Sequence, residues 1–474
     1  MLLNEAFNLP FKQSEVDFLI PNLNEDLNLY VDPFLFYKSS NPRFQAVHAT
    51  IHKFFEIAIQ LVNEGDVASA KRMISFPEVE ETMLGLCTGD HAGRGMGIVR
   101  DAIIYKEIVS NPDILANGIE HLAEMQLLIE GVGFDMISDM CTNISKSFFI
   151  SYTQEQCSLH NIPIEHDVCL NHVFDWDELI WDDIHASLPV NPKNGKPILL
   201  VPKKVVRRFA EIDYKGFWND VYRYMLRDIE VNQSMKSIGR APKVTWKEIE
   251  KKYDFSKRTV VAVLHKQPDL KRNYIAKVES KSASSVQFSL DLTTVEGVDS
   301  TSVPYDNYIS ELKAIKPGKE DCKKYEDLMV RIITRLFSPY LSDPHAQVTS
   351  EDGREIIDIT YYNSADRGFW HDMKIQHNSL IVVFELKNMT DLANEELFQI
   401  ASRLDDRKGR FGILISRDKD KLDIQRAYRR MRNDNKIILI LTDSDLTNII
   451  EDVKNGLSST LYLNKMYRKF VEEA

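Results

Sequence analysis

Five consecutive apolar residues, LIVVF at positions 380–384, restrict the fold of this chain more than any other feature. A strand with one solvent-exposed face alternates apolar and polar side chains, whereas an uninterrupted run of apolar residues is typical of a strand buried on both faces. Glu385 and Lys387 follow at once and share one face, because strand side chains repeat with a period of two. Charges at the end of a buried strand are costly unless they are paired or bind a metal. The segment therefore predicts a central strand whose last residues, Glu385 and Lys387, belong to a functional site.

The segments around this strand alternate between helical and strand patterns. A helical stripe of apolar residues in KYEDLMVRIITRLF comes first, and strands and crossover helices follow it. Crossover helices between strands are typical of a sheet with helices packed on it. We therefore expect an α/β core with a mixed sheet flanked by helices. After the first helix, the predicted elements are strands near 346–349 and 355–363, the central strand at 380–388, a helix near 394–404, a strand at 411–416, a helix near 424–431 and a strand at 436–442.

Asp358 lies in the strand that precedes the apolar run, within IIDITYY. Pairing of these two strands would bring its carboxylate beside Glu385. Two carboxylates and the backbone carbonyl of Leu386 make a set of hard oxygen ligands that suits Mg²⁺ or Mn²⁺. Lys387 would then hold or help to deprotonate an attacking water, while the metal offsets charge on a phosphate.

Asp358, Glu385 and Lys387 together resemble the motif of the PD-(D/E)xK nuclease superfamily, and in particular its restriction-endonuclease-like members. Many members add a glutamate on the first core helix, at the place of Glu326, and a glutamine on the helix after the lysine strand, at the place of Gln399. One departure is that no proline precedes Asp358. An isolated E-x-K sequence is ordinarily a salt bridge at the end of a strand and is weak evidence by itself. The resemblance depends on the helical glutamate, the strand aspartate, the E-x-K strand and the helical glutamine occurring in this order.

This resemblance implies a Mg²⁺-dependent or Mn²⁺-dependent endonuclease that hydrolyses phosphodiester bonds, with DNA as the first candidate substrate. It also suggests an effector in bacterial defence against phage, acting as a homodimer or with a partner protein of the same system. Two alternatives stay open at this stage. One is an RNA nuclease of the same fold, because the chemistry acts on the phosphodiester, and the other is a catalytically idle nucleic-acid-binding or scaffold protein.

The chain is long enough, at 474 residues, for several domains. Residues 1–200 are expected to be a mostly helical sensor or interaction region, with long helices at 48–62 and 119–129. Residues 201–280 form a basic middle segment, and the Ser-rich and Thr-rich stretch 281–305 is predicted to be a linker. The nuclease domain is expected to span residues 306–474.

Basic residues in two places are candidates for nucleic-acid contact. The segment 243–267 reads as two helices around a short turn, which is a candidate helix-turn-helix. Lys257, Arg258 and Lys266 of its second helix would contact phosphates, although an ordinary helical hairpin with solvated lysines also fits the pattern, which is short and has no turn glycine. Arg403 and Arg407 follow Gln399 at helical spacing, so the predicted helix could present all three side chains to a backbone.

The composition limits the other classes of protein. Hydrophobic residues make up 43% and charged residues 27%, and no apolar run is long enough to cross a bilayer. The first residues show no signal-peptide pattern, and five scattered cysteines argue against a disulfide framework, so we expect a cytoplasmic protein without membrane contact. The net charge of −12 disfavours tight non-specific binding to nucleic acid but does not exclude a local basic surface.

Overall fold

Two packing units, each discontinuous in sequence, make up the computed structural model of this protein. The sheet unit comprises Met1–Ile20, Tyr152–Ile164 and Asp291–Ala474, and the helical unit comprises Pro21–Ser151 and Glu165–Leu290. The structure describes residues 1–85, 95–208, 211–238, 244–253, 255–280, 304–349, 356–390, 392, 394–417 and 436–473. The domain boundaries expected from the sequence stay predictions.

Helices dominate the first 280 residues, interrupted by short strands and one long hairpin. The elements are α1 (Leu3–Ala6), β1 (Phe18–Leu19), β2 (Tyr30–Val31), α2 (Pro33–Lys38), α3 (Pro42–Glu64), α4 (Val67–Met73), α5 (Gly95–Ser110), α6 (Pro112–Asn117), α7 (Met125–Leu128), α8 (Phe134–Ile144), α9 (Lys146–His160), β3 (Glu165–Asp175), β4 (Ile180–Leu188), β5 (Val201–Pro202), β6 (Val206–Arg207), α10 (Tyr214–Phe217), α11 (Arg223–Ile238), α12 (Trp246–Lys252), α13 (Lys257–Lys266) and α14 (Pro268–Ser280).

The remainder of the chain alternates strands and helices. These elements are α15 (Tyr305–Ala314), α16 (Cys322–Phe337), β7 (Leu341–Thr349), β8 (Ile356–Asn363), α17 (Gly368–Gln376), β9 (Ile381–Lys387), α18 (Asn394–Arg403), β10 (Phe411–Ser416), β11 (Ile437–Leu441), α19 (Asp443–Lys454) and α20 (Leu461–Glu473).

A five-stranded mixed sheet with the order β11-β10-β9-β8-β7 organises the sheet unit. β7, β8 and β9 pair antiparallel, whereas β9, β10 and β11 pair parallel. β9 is the central strand, and Val382, Val383 and Phe384 are fully buried in it. The prediction of an α/β core with a mixed sheet is thereby confirmed, and so is the central position of the apolar run.

The first 20 residues supply part of the core of the sheet unit. Phe11 and Phe18 are buried and meet edge to face, with ring centroids 5.9 Å apart. Glu15 is fully buried, and one of its oxygens lies 3.3 Å from the guanidinium of Arg331 on α16. The same guanidinium also contacts Glu311 on α15. A long-range ion pair therefore fastens the N-terminal segment to the sheet unit.

Several predicted elements differ from the observed ones. The expected long helix at 119–129 is a 3₁₀ turn at Leu122–Glu124 followed by the short α7. Leu122, Leu127 and Leu128 are all buried, so the apolar stretch reflects burial on every side rather than one amphipathic helix. The expected helix at 48–62 is confirmed by α3.

Other segments contain elements that the sequence reasoning missed. β3 and β4 form an antiparallel hairpin inside the region expected to be mostly helical, and α17 lies between β8 and β9. The predicted pair of helices before residue 267 is confirmed by α12 and α13. The predicted helix at 424–431 and nearly all of the linker at 281–305 lie outside the described residues. In the described part of the chain, no helix has both the length and the apolar character needed to cross a membrane.

Candidate nuclease centre

Asp358 and Glu385 come from neighbouring antiparallel strands. β8 and β9 pair with Ile359 opposite Phe384, so the same register continued by one residue places Asp358 opposite Glu385. Oδ2 of Asp358 accepts a hydrogen bond of 2.8 Å from the backbone N–H of Leu386. This bond holds the aspartate carboxylate against the end of β9.

Lys387 lies beside both carboxylates. Its Nζ is 2.7 Å from Oε1 of Glu385 and 3.9 Å from Oδ2 of Asp358. The side chains of Lys387 and Asp358 are 21% and 22% exposed, whereas that of Glu385 is 0% exposed. The cluster thus has a buried end at Glu385 and a solvent-facing end at Asp358 and Lys387, which a ligand could reach.

Arg403, at the C-terminal end of α18, is the second cation of this cluster. Its side chain is only 2% exposed, and its guanidinium contacts Oε2 of Glu385. A buried carboxylate without compensating charge is strongly unfavourable, so Lys387 and Arg403 together stabilise the ionised form of Glu385. Arg403 was expected to face a nucleic-acid backbone, but here its side chain is buried in the cluster.

Glu326, on the first turns of α16, belongs to the same neighbourhood. Cys322 lies one helical turn earlier, and its Sγ donates a 3.4 Å hydrogen bond to Oε1 of Glu326. Burial raises the pKa of the Cys322 thiol, and the charges of Glu326 and Asp358 raise it further, while that of Lys387 lowers it. Cys322 therefore lies within electrostatic reach of Glu326, Asp358 and Lys387, and its thiol stays neutral. The role of Glu326 in the candidate centre stays a prediction.

Gln399 lies on α18, one turn before Arg403, and is half-buried. The helix ends at Arg403. Arg407 therefore lies beyond the helix, in a turn where its backbone N–H donates to Asp405. The expected helix face bearing Gln399, Arg403 and Arg407 is not formed, because the helix is too short. Contact of Arg407 with nucleic acid stays a prediction.

The carboxylates of Asp358 and Glu385 fit a hard divalent cation, provided that the carboxylate of Glu385 can be freed from its present partners. Among the described residues, the contacts that Asp358 makes with Leu386 and Lys387 both use Oδ2, so Oδ1 is the oxygen on offer to a ligand. Each oxygen of Glu385 faces a cation, so coordination by Glu385 requires Lys387 or Arg403 to move or to share the carboxylate. The role of the Leu386 carbonyl as a third ligand stays a prediction. Carboxylate oxygens are the ligands that Mg²⁺ prefers.

The three basic residues predicted on α13 have different surroundings. Arg258 and Lys266 are exposed. Nζ of Lys257 instead donates a hydrogen bond to the backbone carbonyl of Val132, and burial lowers the pKa of this amine to about 8. Lys257 is therefore committed to the interior of the helical unit, while the other two side chains are available to a ligand.

Sequence reasoning missed Cys322 and gave Arg403 a different role. Arg403 was noticed for its charge but not as the partner of Glu385, although its place one turn after Gln399 puts it on the same helix. Cys322 precedes Glu326 by four residues, and that spacing on a helix was a usable signal. Arg417 was also missed. It lies after β10, hydrogen-bonds Asn388 at 3.2 Å, and so braces the segment that follows Lys387.

Comparisons with known proteins add little to this geometry. Residues 8–213 match the model of a domain of unknown function (DUF8370). A protein of Escherichia coli (strain K12), named as an 80.3 kDa protein of transposon gamma-delta, is 23% identical over 153 residues, which is 31% of this chain. The match spans about a fifth of the length of that relative, 22%. No solved structure matches the chain at a significant level.

Proposed function

We propose that the sheet unit hydrolyses phosphodiester bonds of DNA in a divalent-metal-dependent reaction, as a nuclease of the PD-(D/E)xK type. The observation that carries this proposal is the meeting of Asp358, Glu385 and Lys387 at the ends of two paired strands in a mixed sheet. The mixed sheet with α16 before it also agrees with a restriction-endonuclease-like core. Two acids and a lysine that share one partly exposed cluster are suited to phosphoryl chemistry.

Each residue has a role that follows from its position. Asp358 and Glu385 would hold Mg²⁺ or Mn²⁺, and a metal bound there supplies a Lewis acid that offsets charge on the phosphate. Lys387, at the solvent-facing end, donates hydrogen bonds to the attacking water and to the scissile phosphate. Glu326 adds negative charge that favours a cation in the cluster. Gln399 is proposed to position the nucleic-acid strand from α18.

Lys387 and Arg403 leave the cluster close to neutral when Glu326 is counted. Asp358, Glu385 and Glu326 carry three negative charges when ionised, against two positive charges. The net charge of about −1 attracts a cation, but this attraction is weaker than in a site built from acidic residues alone. We therefore expect metal binding of moderate strength that tightens when a phosphate group supplies further ligands.

The test is a cleavage assay with the full-length protein on supercoiled plasmid, single-stranded DNA and RNA, in Mg²⁺, Mn²⁺ or EDTA. We expect DNA to be cut only with a divalent metal. The Asp358→Asn variant should lose activity by roughly 10²-fold or more, the scale of removing one electrostatic contact from a transition state. Asp366→Asn removes an exposed acid after the far end of β8 and serves as the matched control.

The outcomes of this assay separate the alternatives. Cleavage of RNA alone would replace DNA as the substrate and keep the centre. Cleavage that is equal in Asp358→Asn and Asp366→Asn, or that persists in EDTA, would remove the centre from the reaction. A role in defence against phage rests on the resemblance alone, and a phage-challenge assay comparing the same two variants would test it.

A second candidate function is a catalytically idle nucleic-acid-binding protein, and one contact favours it. Arg403 and Lys387 already compensate the charge of Glu385 without a metal, as they would in a centre converted to a structural role. This candidate predicts that Mg²⁺ does not bind to the sheet unit. Calorimetric titration of the parent and of Asp358→Asn with Mg²⁺ distinguishes the two candidates.

A further inference from the structure

Three side chains of metal-binding type converge in the helical unit, outside the candidate nuclease centre. Glu120, His121 and Glu279 each offer one ligand atom, and these atoms all lie within 4.8 Å of one another. A ring nitrogen of His121, Nε2, lies 2.8 Å from Oε1 of Glu279. His121 is buried, Glu279 is partly exposed and Glu120 is exposed, so the group lies at the surface with its imidazole inside.

The backbone on both sides of this group is fixed by buried ion pairs. The backbone N–H of His121 donates a 2.9 Å hydrogen bond to Glu124, which caps the 3₁₀ turn that follows. Lys271 on α14 lies 3.0 Å from Glu124 and 3.1 Å from Asp113. Lys271 therefore fastens α14, which carries Glu279 near its end, to the turn that carries His121. The ligand-bearing segments are held together before any ion binds.

Aromatic rings hold the imidazole of His121 in one orientation. The rings of Tyr37 and Phe34 meet it nearly at right angles, with centroid distances of 4.6 Å and 5.2 Å. The ring of His48 has its centroid 5.7 Å away, so a second imidazole is within reach of the group. Preorganised ligands lower the cost of assembling a metal site, and rings packed in this way lock the rotamer of the histidine.

The two ring nitrogens of His121 have different surroundings. Nδ1 is buried, and within the described residues it has no hydrogen-bond partner, although the side chain is only 2% exposed. Buried polar atoms without partners are rare in folded proteins and are costly. An ion shared by His121 and Glu279 would bind Nε2, the nitrogen that faces the carboxylate, and would replace the hydrogen bond between them. His121 also lines a small surface cleft together with Glu120 and His48.

We propose that Glu120, His121 and Glu279 form a binding site for a divalent transition-metal ion of the Zn²⁺ class. One imidazole nitrogen and two carboxylates are a mixed nitrogen and oxygen set, which favours such ions over Mg²⁺ or Ca²⁺. The side chain of Tyr37 hydrogen-bonds the carboxylate of Glu279, so a bound ion would share this carboxylate with the tyrosine. The bound ion would link α14 to the turn at His121 and stabilise the helical unit.

The experiment is a calorimetric titration of metal-stripped, full-length protein with Zn²⁺. The parent and every variant also carry Asp358→Asn, which disables the candidate nuclease centre and separates this proposal from the proposed function. We expect one equivalent of Zn²⁺ to bind, with an excess of Mg²⁺ unable to displace it. Zn²⁺ should also raise the melting temperature of the helical unit.

Two substitutions test the ligands, and a third provides the matched control. Glu120→Gln, at an exposed position, and His121→Gln should each weaken Zn²⁺ binding roughly 10- to 100-fold. Glu107→Gln breaks a histidine–glutamate pair of the same unit, with 2.8 Å between Glu107 and His265, and should leave Zn²⁺ binding unchanged. Circular dichroism confirms that each variant is folded.

Two results would overturn the proposal. The first is the absence of Zn²⁺ binding in the Asp358→Asn protein, which would make His121 and Glu279 an ordinary ion pair. The second is Zn²⁺ binding that neither Glu120→Gln nor His121→Gln weakens, which would place the ion elsewhere. Either result leaves the proposed nuclease centre standing, because its metal dependence is measured with Asp358 intact.

Discussion

The two charged clusters of this protein differ in how their negative charges are compensated. At the candidate nuclease centre, Lys387 and Arg403 provide fixed positive charges beside Glu385. At Glu120, His121 and Glu279, the group beside the two carboxylates is an imidazole rather than a lysine or an arginine. Among the described residues, three ligand atoms fall within 4.8 Å of one another at the second cluster and not at the first. The first arrangement suits a substrate phosphate, which the lysine can contact, and the second suits an ion that remains bound.

The clusters also differ in how they are assembled along the chain. Asp358 and Glu385 lie in consecutive strands of one sheet, whereas His121 and Glu279 are 158 residues apart. A local cluster can be recognised from a short motif and a register argument. A distant one depends on packing that no short segment encodes.

The largest expected effect concerns the discontinuity of the sheet unit. Phe18 is fully buried, and Phe18→Ala should destabilise this unit by about 3–5 kcal/mol, the range for emptying a buried aromatic site. Hydrogen exchange of the β9 and β10 amides measures the effect within the sheet. We expect the protection of these amides to fall, while the amides of the helical unit keep their protection. Ile375→Ala, at a residue 67% exposed, is the control and should change little.

The opposite outcome for Phe18→Ala is equally clear. If only residues 1–20 lose protection and the strands keep theirs, the N-terminal segment does not belong to the cooperative core of the sheet. A fragment covering residues 306–474 would then be expected to fold alone, as the sequence reasoning assumed.

The next effect tests the fixed positive charge at the candidate nuclease centre. Arg403→Met leaves Glu385 with one cation fewer in a buried place, so the metal-free sheet unit should lose about 3 kcal/mol, as when one partner of a buried ion pair is removed. Mg²⁺ should restore part of this loss, because the metal replaces the missing positive charge. Thermal unfolding with and without Mg²⁺ measures both the loss of stability and its partial recovery.

The matched control for Arg403→Met is the double variant with Glu385→Gln. Removing both charges should cost less than removing Arg403 alone, and Mg²⁺ should no longer restore stability. A loss that is the same with and without Mg²⁺ in the single variant would show that Glu385 does not meet the metal. That result would favour the idle candidate.

The smallest effect concerns the basic residues of α13. If this helix contacts DNA, Arg258→Gln and Lys266→Gln should each reduce the log–log salt dependence of binding by about 0.9. Lys257→Met should leave it unchanged, because its amine contacts Val132. An unchanged slope in all three variants would leave α12 and α13 as a plain helical hairpin.

Lys257→Met has its own readout, the dependence of stability on pH. The pKa of Lys257 is lowered from 10.5 to about 8 by burial. A depressed folded-state pKa gives stability that is present above pH 10.5 and lost as pH falls through about 8. The free energy of unfolding of the variant minus that of the parent should therefore be larger at pH 7 than at pH 10. Denaturant unfolding of both proteins at the two pH values measures this difference. A constant difference between the two pH values would contradict the buried position.

The sequence predicted most of the sheet because its signals are local. The apolar run before Glu385 could only be a buried strand, and the stripe around Glu326 could only be a helix. The register of β8 and β9 then brought Asp358 to Glu385. α17 was missed because the segment from Gly368 has only a weak apolar stripe, with Phe369, Trp370 and Met373 as its buried residues.

Other features could not be predicted because they depend on distant contacts. Nothing near Glu15 indicates that Arg331 will be its partner, and His121 gives no sign of Glu279. The role of Arg403 was misjudged for a related reason. A charged residue on a helix is usually solvated, and only the packing of α18 on the sheet shows that this one is buried.

The most direct test of the candidate nuclease centre is the Lys387→Met variant, measured for both Mg²⁺ affinity and DNA cleavage. The account predicts that cleavage falls by about 10²- to 10³-fold, because Lys387 acts on the water and phosphate, while Mg²⁺ affinity does not fall, because the substitution frees Oε1 of Glu385. Lys465→Met, at an exposed position of α20, should match the parent in both measurements. A Lys387→Met protein that cuts DNA as fast as the parent but unfolds more easily would contradict the account and leave Lys387 as a salt bridge.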